Sequence, residues 1–346
     1  MAGSFRTALT RYAHRMWQTR GLVSTLLLPL SWAVQGVVAR KRRQYQQTSR
    51  NTPPVPVIVV GNIMVGGTGK TPVVIELAQR LQALGHKPGV ISRGYGSQAG
   101  ETPRTGIGQV DPALFGDEPA LIARDAGVPV AVFPKRLAAL HALLQTYPET
   151  DIVISDDGLQ HLALPRNLEI VVQDDRGIGN GRVLPAGPLR EPATRLNTVD
   201  LIITNTATGT NPAPQGTAKQ MNMWLEPVQC TQVATGKTLP WSEFMTLAKD
   251  QTFAAVAAIG QPTRFFNMLN NQGLTLTKTV ALPDHDDYRS PPFSDIDADC
   301  ILITQKDAVK CTRLNDARLW SVRVAPRFSD EQWVGRLLDR LQLPNP

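Results

Sequence analysis

The residues with the clearest chemical meaning form one run, Gly61-Asn62-Ile63-Met64-Val65-Gly66-Gly67-Thr68-Gly69-Lys70-Thr71-Pro72. Glycines at this density let successive backbone N–H groups turn inward toward phosphate oxygens, while a lysine at position 70 reaches β- and γ-phosphates and the Thr71 hydroxyl suits Mg2+. Met64, Val65, Gly66, Gly67, Thr68, Gly69, Lys70 and Thr71 are therefore the candidate nucleotide-binding residues. The general pattern has glycine where this chain has Met64, and Gly66 and Gly67 supply the flexibility instead. A glycine-rich turn without a ligand is the plain alternative, but the apolar run before it and the helix pattern after it are the context a phosphate loop requires.

A second constellation lies about 85 residues on, in Asp151-Ile152-Val153-Ile154-Ser155-Asp156-Asp157-Gly158-Leu159-Gln160-His161. An apolar strand ending in carboxylates is what a phosphate-loop enzyme needs opposite the loop, to hold the Mg2+ shell. Thr71, Asp156, Asp157 and Glu118 are the metal candidates. Glu118 belongs to Gly116-Asp117-Glu118-Pro119, which opens a helix; acids there can also do no more than complement the helix dipole. Arg93 and Arg190 sit on loops as candidates for charge stabilisation. Farther on, His285 lies among carboxylates in Pro283-Asp284-His285-Asp286-Asp287-Tyr288, where a histidine is often simply solvated. Thr304-Gln305-Lys306-Asp307 has the arrangement of nucleotide-base readers, in which the Lys306 stem would cover the base and Asp307 accept from its edge.

The elements that must position these groups can be read from periodicity. A strand over 57–60 precedes the loop, and Val73, Val74, Leu77, Leu81 and Leu84 recur at helical spacing until Gly85 stops the helix. Strands follow over 88–92, 128–133, 168–172 and 201–204, with the apolar run after Asp151 as a further strand, a helix opened by 115–119 and running to about 125, and another over 135–144. Residues 97–112 read as a mobile loop, and 174–192 as a Gly/Pro-rich loop that shapes a substrate site. A strand over 223–235 has the character of a linking ribbon. Strands over 253–259, 274–281, 300–304 and 319–324, with helices over 262–271 and 330–341, make a second, smaller unit. The expected fold is α/β, a phosphate-loop NTPase-like and mostly parallel sheet flanked by helices, with a smaller C-terminal α/β domain. Its expected divisions are an arm at 1–50, a core at 51–205, a linker at 206–250 and the small domain at 251–346.

Charge separates the arm from the rest. Of the 36 Lys and Arg among 346 residues, nine (Arg6, Arg11, Arg15, Arg20, Arg40, Lys41, Arg42, Arg43, Arg50) lie in the first 50, which contain no Asp or Glu. The remainder holds 27 basic against 29 acidic residues, so the net +7 belongs to the arm. Nucleic acid needs a basic face on the folded body as well, so no nucleic-acid partner is expected and an anionic membrane surface is preferred. Nineteen residues from Gly21 to Ala39 carry no charge. That length just crosses a hydrocarbon core of about 30 Å, but polar residues within it and cations at both ends favour a helix lying in the interface, with Trp17 and Trp32 near headgroups. A spanning helix and a helix packed on the protein stay open. Cys230, Cys300 and Cys311, odd in number and widely spaced, match neither a disulfide framework nor a zinc site.

Together, Gly61-Asn62 with GGTGKTP, Ser92-Arg93-Gly94-Tyr95-Gly96, Gly116-Asp117-Glu118-Pro119, Ser155 to His161, Gly179-Asn180-Gly181 with LPAGPLREP, and TQKDAVK resemble the tetraacyldisaccharide 4'-kinase family, the lipid A 4'-kinases of Gram-negative bacteria. The resemblance runs from the N-terminal helix to the last strand. It implies transfer of the ATP γ-phosphate to the 4'-hydroxyl of a lipid A disaccharide 1-phosphate precursor, with Mg2+, at the cytoplasmic face of the inner membrane. It also implies that Asp117 activates the hydroxyl and that His285 supports it. His161 and Asn180 join Arg93 and Arg190 as candidates for substrate contact or transition-state charge. Met64 contributes mainly backbone and is expected to cost no function. A monomer is expected. The rival reading is a membrane-targeted phosphate-loop NTPase switch, in which hydrolysis drives partner exchange.

Overall fold

The computed structural model describes residues 16–17, 19–48, 53–95, 97, 100–207, 216–283 and 286–342. Arg6, Arg11, Arg15, Arg50, Gly96, Asp284 and His285 lie outside them. By their contacts the residues form two compact units, one made from Met1–Asn205, Asn211–Asn222 and Phe328–Pro346, the other from Thr206–Thr210 and Met223–Arg327.

The first unit begins with helices α1 (Leu22–Leu26) and α2 (Leu28–Thr48). Then come β1 (Val57–Gly61), α3 (Lys70–Ala83), β2 (Pro88–Ser92), β3 (Arg104–Gly106), α4 (Pro112–Phe115), α5 (Asp117–Ala126), β4 (Val130–Val132) and α6 (Arg136–Thr146). Strands β5 (Ile152–Asp156), β6 (Leu168–Asp174) and β7 (Leu201–Asn205) complete it. The strand order is β7-β6-β1-β5-β2-β4-β3. All neighbours run parallel except the β3/β4 pair. Residues 57–60 are wholly buried, as a parallel strand covered on both faces must be, which is why the sequence shows an unbroken apolar run there. Helix α3 covers one face with Val73, Val74, Leu77 and Leu81, none of them exposed. Each such burial contributes about 1.5–3 kcal/mol.

The chain leaves β1 for β2 and returns to place β5 between them, while β6 takes the other side of β1. Strand order therefore reverses at β1, and in open α/β sheets the crevice at the carboxyl ends beside that reversal is where ligands bind. The phosphate loop, Asp156 and the loop after β6 all leave the sheet at this edge.

Residues 97–112 are not one structureless loop. Arg104–Gly106 is an edge strand, and Asp111 caps α4 by accepting from the Ala113 N–H at 2.9 Å. Gly, Thr and Pro in the sequence masked a strand of only three residues.

Strand β8 (Lys219–Gln232), in the second unit from Met223 on, pairs antiparallel with β9 (Thr238–Pro240), and α7 (Trp241–Leu247) follows. Strands β10 (Phe253–Ala257), β11 (Leu276–Ala281), β12 (Cys300–Thr304) and β13 (Leu319–Phe328) accompany helices α8 (Pro262–Asn271) and α9 (Gln305–Cys311). The order is β11-β10-β12-β13-β8. Phe244 anchors one face of this sheet against Trp320 at 5.1 Å and Phe253 at 6.2 Å between ring centroids. The three cysteines are free and buried.

The last helix, α10 (Trp333–Leu341), packs with α3 in the first unit, where Arg80 reaches Glu331 at 2.5 Å. The contact division thus differs from the expected one: 223–250 joins the small unit, and residues after 327 return to the large one. Periodicity reveals a helix but not which core it covers.

Candidate active site

The phosphate loop enters α3 through two left-handed glycines, Gly66 (φ 103°) and Gly69 (φ 92°), a backbone that side chains with a Cβ resist. Gly69 is the N-cap, Lys70 the first helical residue, and Pro72 falls among the first-turn positions whose N–H has no helical partner. Among the described residues, no N–H from Gly66 to Gly69 has a protein partner. Those amides are the ones a phosphate would meet. Met64 and Val65 differ from the expectation. The Met64 side chain is buried in the core, and the Val65 N–H already donates to Pro188 O at 2.9 Å, while Arg190 N–H donates to Ile63 O at 2.7 Å. A bridge between Met64 and Leu189 holds this half of the loop to the 188–190 segment. A buried apolar side chain therefore suits position 64 here.

Opposite the loop, Asp157 lies 3.5 Å from Lys70 Nζ and 3.4 Å from Arg190. It holds a positive φ of 49°, a strained conformation for a residue other than glycine. Burial alone would raise its proton affinity, but Lys70 and Arg190 overcome that and hold the carboxyl below its usual value. Asp156 has the opposite environment. It is buried, accepts one hydrogen bond from Ser92 Oγ at 3.1 Å through Oδ2, and leaves Oδ1 without a partner. Desolvation first, then Glu118, push it up to about 6 against the pull of Lys70.

These donors fit Mg2+: a buried carboxylate oxygen with nothing to accept from, a second acid near enough to act on it, and the Thr71 hydroxyl in the adjoining helical turn. Among the described residues no three His, Cys, Asp or Glu converge as a closed metal cage. Asp157 is engaged by two cations and is the poorer match of the two aspartates.

Asp117 opens α5, exposed and with no side-chain hydrogen bond among the described residues. Gly116 before it has φ 90°, and a Cβ there would stand 2.7 Å from Tyr95 O, so only glycine lets the 93–95 loop close over the start of this helix. That loop lines a cleft of about 290 Å3 with Arg93, Tyr95, Arg104 and Phe133. His161 belongs to the same field of charge: burial first, then Arg136, Arg93 and Arg166, push it down to about 4, so its imidazole is neutral at pH 7.

A family model described as tetraacyldisaccharide-1-P 4'-kinase matches residues 23–342. The chain belongs to that family. A tetraacyldisaccharide 4'-kinase of Bordetella parapertussis is 52% identical over 343 residues, 98% of each chain. One from Pasteurella multocida is 42% identical over 322 residues, 92% of this chain and 95% of its own. The crystal structure of LpxK from Aquifex aeolicus in complex with ATP superposes with a TM-score of 0.75 at 26% identity, covering 92% of this chain and 99% of that one.

Not every residue singled out from the sequence joins the cluster. Asn180 is buried, its amide donating to Thr19 O, Ser24 Oγ and Ala186 O at 3.0–3.2 Å while Oδ1 accepts from the Arg182 N–H. Saturated in this way, it fastens the N-terminal helices to the 180–187 loop and has nothing left for a substrate. Asp307 is wholly buried in the second unit, where Oδ2 accepts from Thr304 Oγ1 at 2.7 Å and Ala258 N–H at 3.2 Å. Thr304 caps α9 in return, its Oγ1 accepting from the Asp307 N–H, so the Thr-x-x-Asp pattern serves the start of that helix and is not an open base reader. Lys306 beside it is exposed. His285 lies outside the described residues. Sequence reasoning missed Arg136, a buried arginine donating to Asp156 O at 3.3 Å and Phe133 O at 3.1 Å. Burial pushes it down to about 10, so it remains a cation behind the two aspartates. It missed Glu191 as well, which accepts from Gln160 at 2.8 Å and pairs with Arg195 at 3.3 Å and Arg42 at 3.8 Å. One cation of the basic arm is thus used inside the protein.

Proposed function

We infer that this chain transfers the γ-phosphate of ATP to the 4'-hydroxyl of a tetraacyldisaccharide 1-phosphate, the lipid A precursor. What carries the reading is the phosphate loop from Gly66 to Thr71 facing Asp156 and Asp157, in a chain that matches this kinase family from 23 to 342. The loop amides and Lys70 take the β- and γ-phosphates. The 4'-oxygen bonds to the γ-phosphorus, the bond to the β,γ-bridging oxygen breaks, and the hydroxyl proton passes to Asp117, whose exposed carboxylate has no protein partner to give up first. His285 supports Asp117 in this scheme. Thr71, Asp156 and Glu118 would hold Mg2+, which when bound neutralises charge on the phosphates. Arg190, held by Asp157, and Arg93 supply positive charge to the transferring group or to the 1-phosphate. Neutral His161 contributes a hydrogen bond, not a charge.

The chain meets its lipid at an anionic membrane surface, at the cytoplasmic face, as a monomer. Among the described residues no helix is long and apolar enough to cross a membrane. Ser24 and Ser31, seven apart, are buried and donate to Ala186 O (2.5 Å) and Val183 O (2.8 Å), so one face of α1 and α2 is fastened to the protein by polar contacts. Leu22, Leu26, Leu30, Trp32 and Val37 point the other way, 56–85% exposed. Such a stripe supports interfacial burial. The deciding experiment incubates the protein with ATP, Mg2+ and the disaccharide 1-phosphate in detergent. A product heavier by one phosphate is expected. Phosphate release at the same rate with and without the lipid, and no heavier product, would favour the NTPase switch.

A further inference from the structure

Three consecutive carbonyls of the phosphate loop are each held by a side chain from a different strand end. Gly66 O accepts from Asn62 Nδ2 at 3.1 Å, Gly67 O from an Arg176 terminal nitrogen at 3.3 Å, and Thr68 O from Asn205 Nδ2 at 3.2 Å. Asn62 follows β1, Arg176 follows β6, and Asn205 ends β7. None is placed by chance: Asn62 and Asn205 are buried, and Arg176 is gripped by the buried Asp174 through three contacts of 2.7–3.0 Å.

The consequence follows from peptide planarity. In a trans peptide the carbonyl of one residue and the N–H of the next point in opposite directions. Fixing the oxygens of Gly66, Gly67 and Thr68 therefore aims the N–H groups of Gly67, Thr68 and Gly69 away from the three clamping side chains, all without protein partners. It also keeps three carbonyl oxygens, which would repel a polyphosphate, turned out of the site. Glycine-rich backbone would otherwise sample many orientations, and ordering it would be charged against nucleotide affinity.

We propose that Asn62, Arg176 and Asn205 are positioning residues that act as one clamp on the phosphate-loop carbonyls and preorganise the amides for the triphosphate. The proposal rests on the ATP-dependent reading above. None of the three is asked to touch the nucleotide.

The test compares Asn205→Asp, which replaces a donor by an acceptor of equal size, with Arg176→Met and Arg176→Lys, measuring ATP affinity directly by calorimetry and steady-state kinetics on the full chain. Each of Asn205→Asp and Arg176→Met is expected to weaken ATP binding roughly tenfold, about 1.4 kcal/mol. KM for the lipid acceptor and the melting temperature should stay near the parent values, and Arg176→Lys, which keeps a donor, should recover part of the loss. If a variant melts early, its ATP affinity is read at a temperature where it is folded. Unchanged ATP affinity in both donor-removing variants overturns the clamp. Loss of acceptor affinity in equal measure assigns these residues to general scaffolding and overturns it too. Failure of the parent protein to bind ATP would instead sink the kinase reading itself.

Discussion

Replacing Asp156 with Asn should make the protein more stable and inactive at once. Asp156 is buried, with one oxygen hydrogen-bonded by Ser92 and the other bare, and its proton affinity is raised from 3.8 to about 6. Each unit of such a shift is 1.36 kcal/mol of preference for the neutral form, so ionised Asp156 costs the empty fold about 3 kcal/mol at pH 8. Asparagine keeps the shape and can still accept from Ser92, and it removes the charge. Urea unfolding at pH 8 with EDTA should show the variant more stable by about 1–3 kcal/mol. The pH dependence has a definite sign. A carboxyl with raised folded-state affinity contributes its stability fully below the unfolded value and loses it as pH rises through about 6. Titrating from pH 7.5 down to 5 should therefore stabilise the parent relative to the variant and narrow the gap by about half, the rest closing only below the unfolded value of 3.8. Adding Mg2+ with ATP at pH 8 should stabilise the parent and barely affect the variant, because the cation is what the bare oxygen lacks. A variant less stable than the parent in EDTA at pH 8 would refute the account and show that Asp156 is already compensated within the fold.

Other perturbations separate the remaining roles. Lys70→Ala and Thr71→Ala should each reduce turnover by several kcal/mol of barrier, every 1.36 kcal/mol being tenfold; near-normal rates in either would remove the phosphate-loop reading. Asp117→Ala should lower kcat at least a hundredfold while ATP affinity stays within a few-fold, and collapse of ATP binding with kcat preserved would move Asp117 to the metal site. His161, pushed down to about 4, lets the unfolded chain bind the proton first, so it lowers stability as pH falls from 6.5 toward 4. An NMR titration placing its midpoint at about 7 or above would contradict its neutral role. Changing Leu22, Leu26 and Leu30 to Ser should leave activity in detergent unchanged and reduce binding to anionic vesicles at least tenfold; undiminished binding would show that the exposed stripe does not enter the interface.

How much was legible in the sequence depended on the range of the interaction. The strand at 57–61, the helix after Lys70 and the carboxylates at 156 and 157 announce themselves because apolar periodicity and loop chemistry are local. The helix at 262–271 was placed to the residue because Pro262 fixes its start. Arg136 was passed over because its significance is burial behind two aspartates, and burial is decided by β4, β5 and α6 together. Asp307 was misread for the opposite reason. Its local pattern was genuine, but Thr-x-x-Asp after a strand serves helix capping as readily as base recognition, and only depth in the fold chooses between them.

The segment from Asp174 to Glu191 shows the same limit with more consequence. Its Gly and Pro content marks it as irregular, and a substrate-shaping loop is the natural inference. In the fold it is an adaptor with two faces. Toward the sheet, Arg176 holds Gly67 O, Pro188 O accepts from Val65, and Arg190 donates to Ile63. Toward the arm, Asn180, Val183, Pro185 and Ala186 accept or donate to Trp17, Thr19, Arg20, Ser24 and Ser31. The helices that present an apolar stripe outward and the backbone that must face a triphosphate are thus fastened to opposite sides of one short stretch of chain. Irregular backbone suits this, because a helix would spend its carbonyls internally and a strand would turn them to its sheet neighbours, whereas here the carbonyls of Asn180, Val183, Pro185 and Ala186 accept from the arm while that of Pro188 accepts from the phosphate loop.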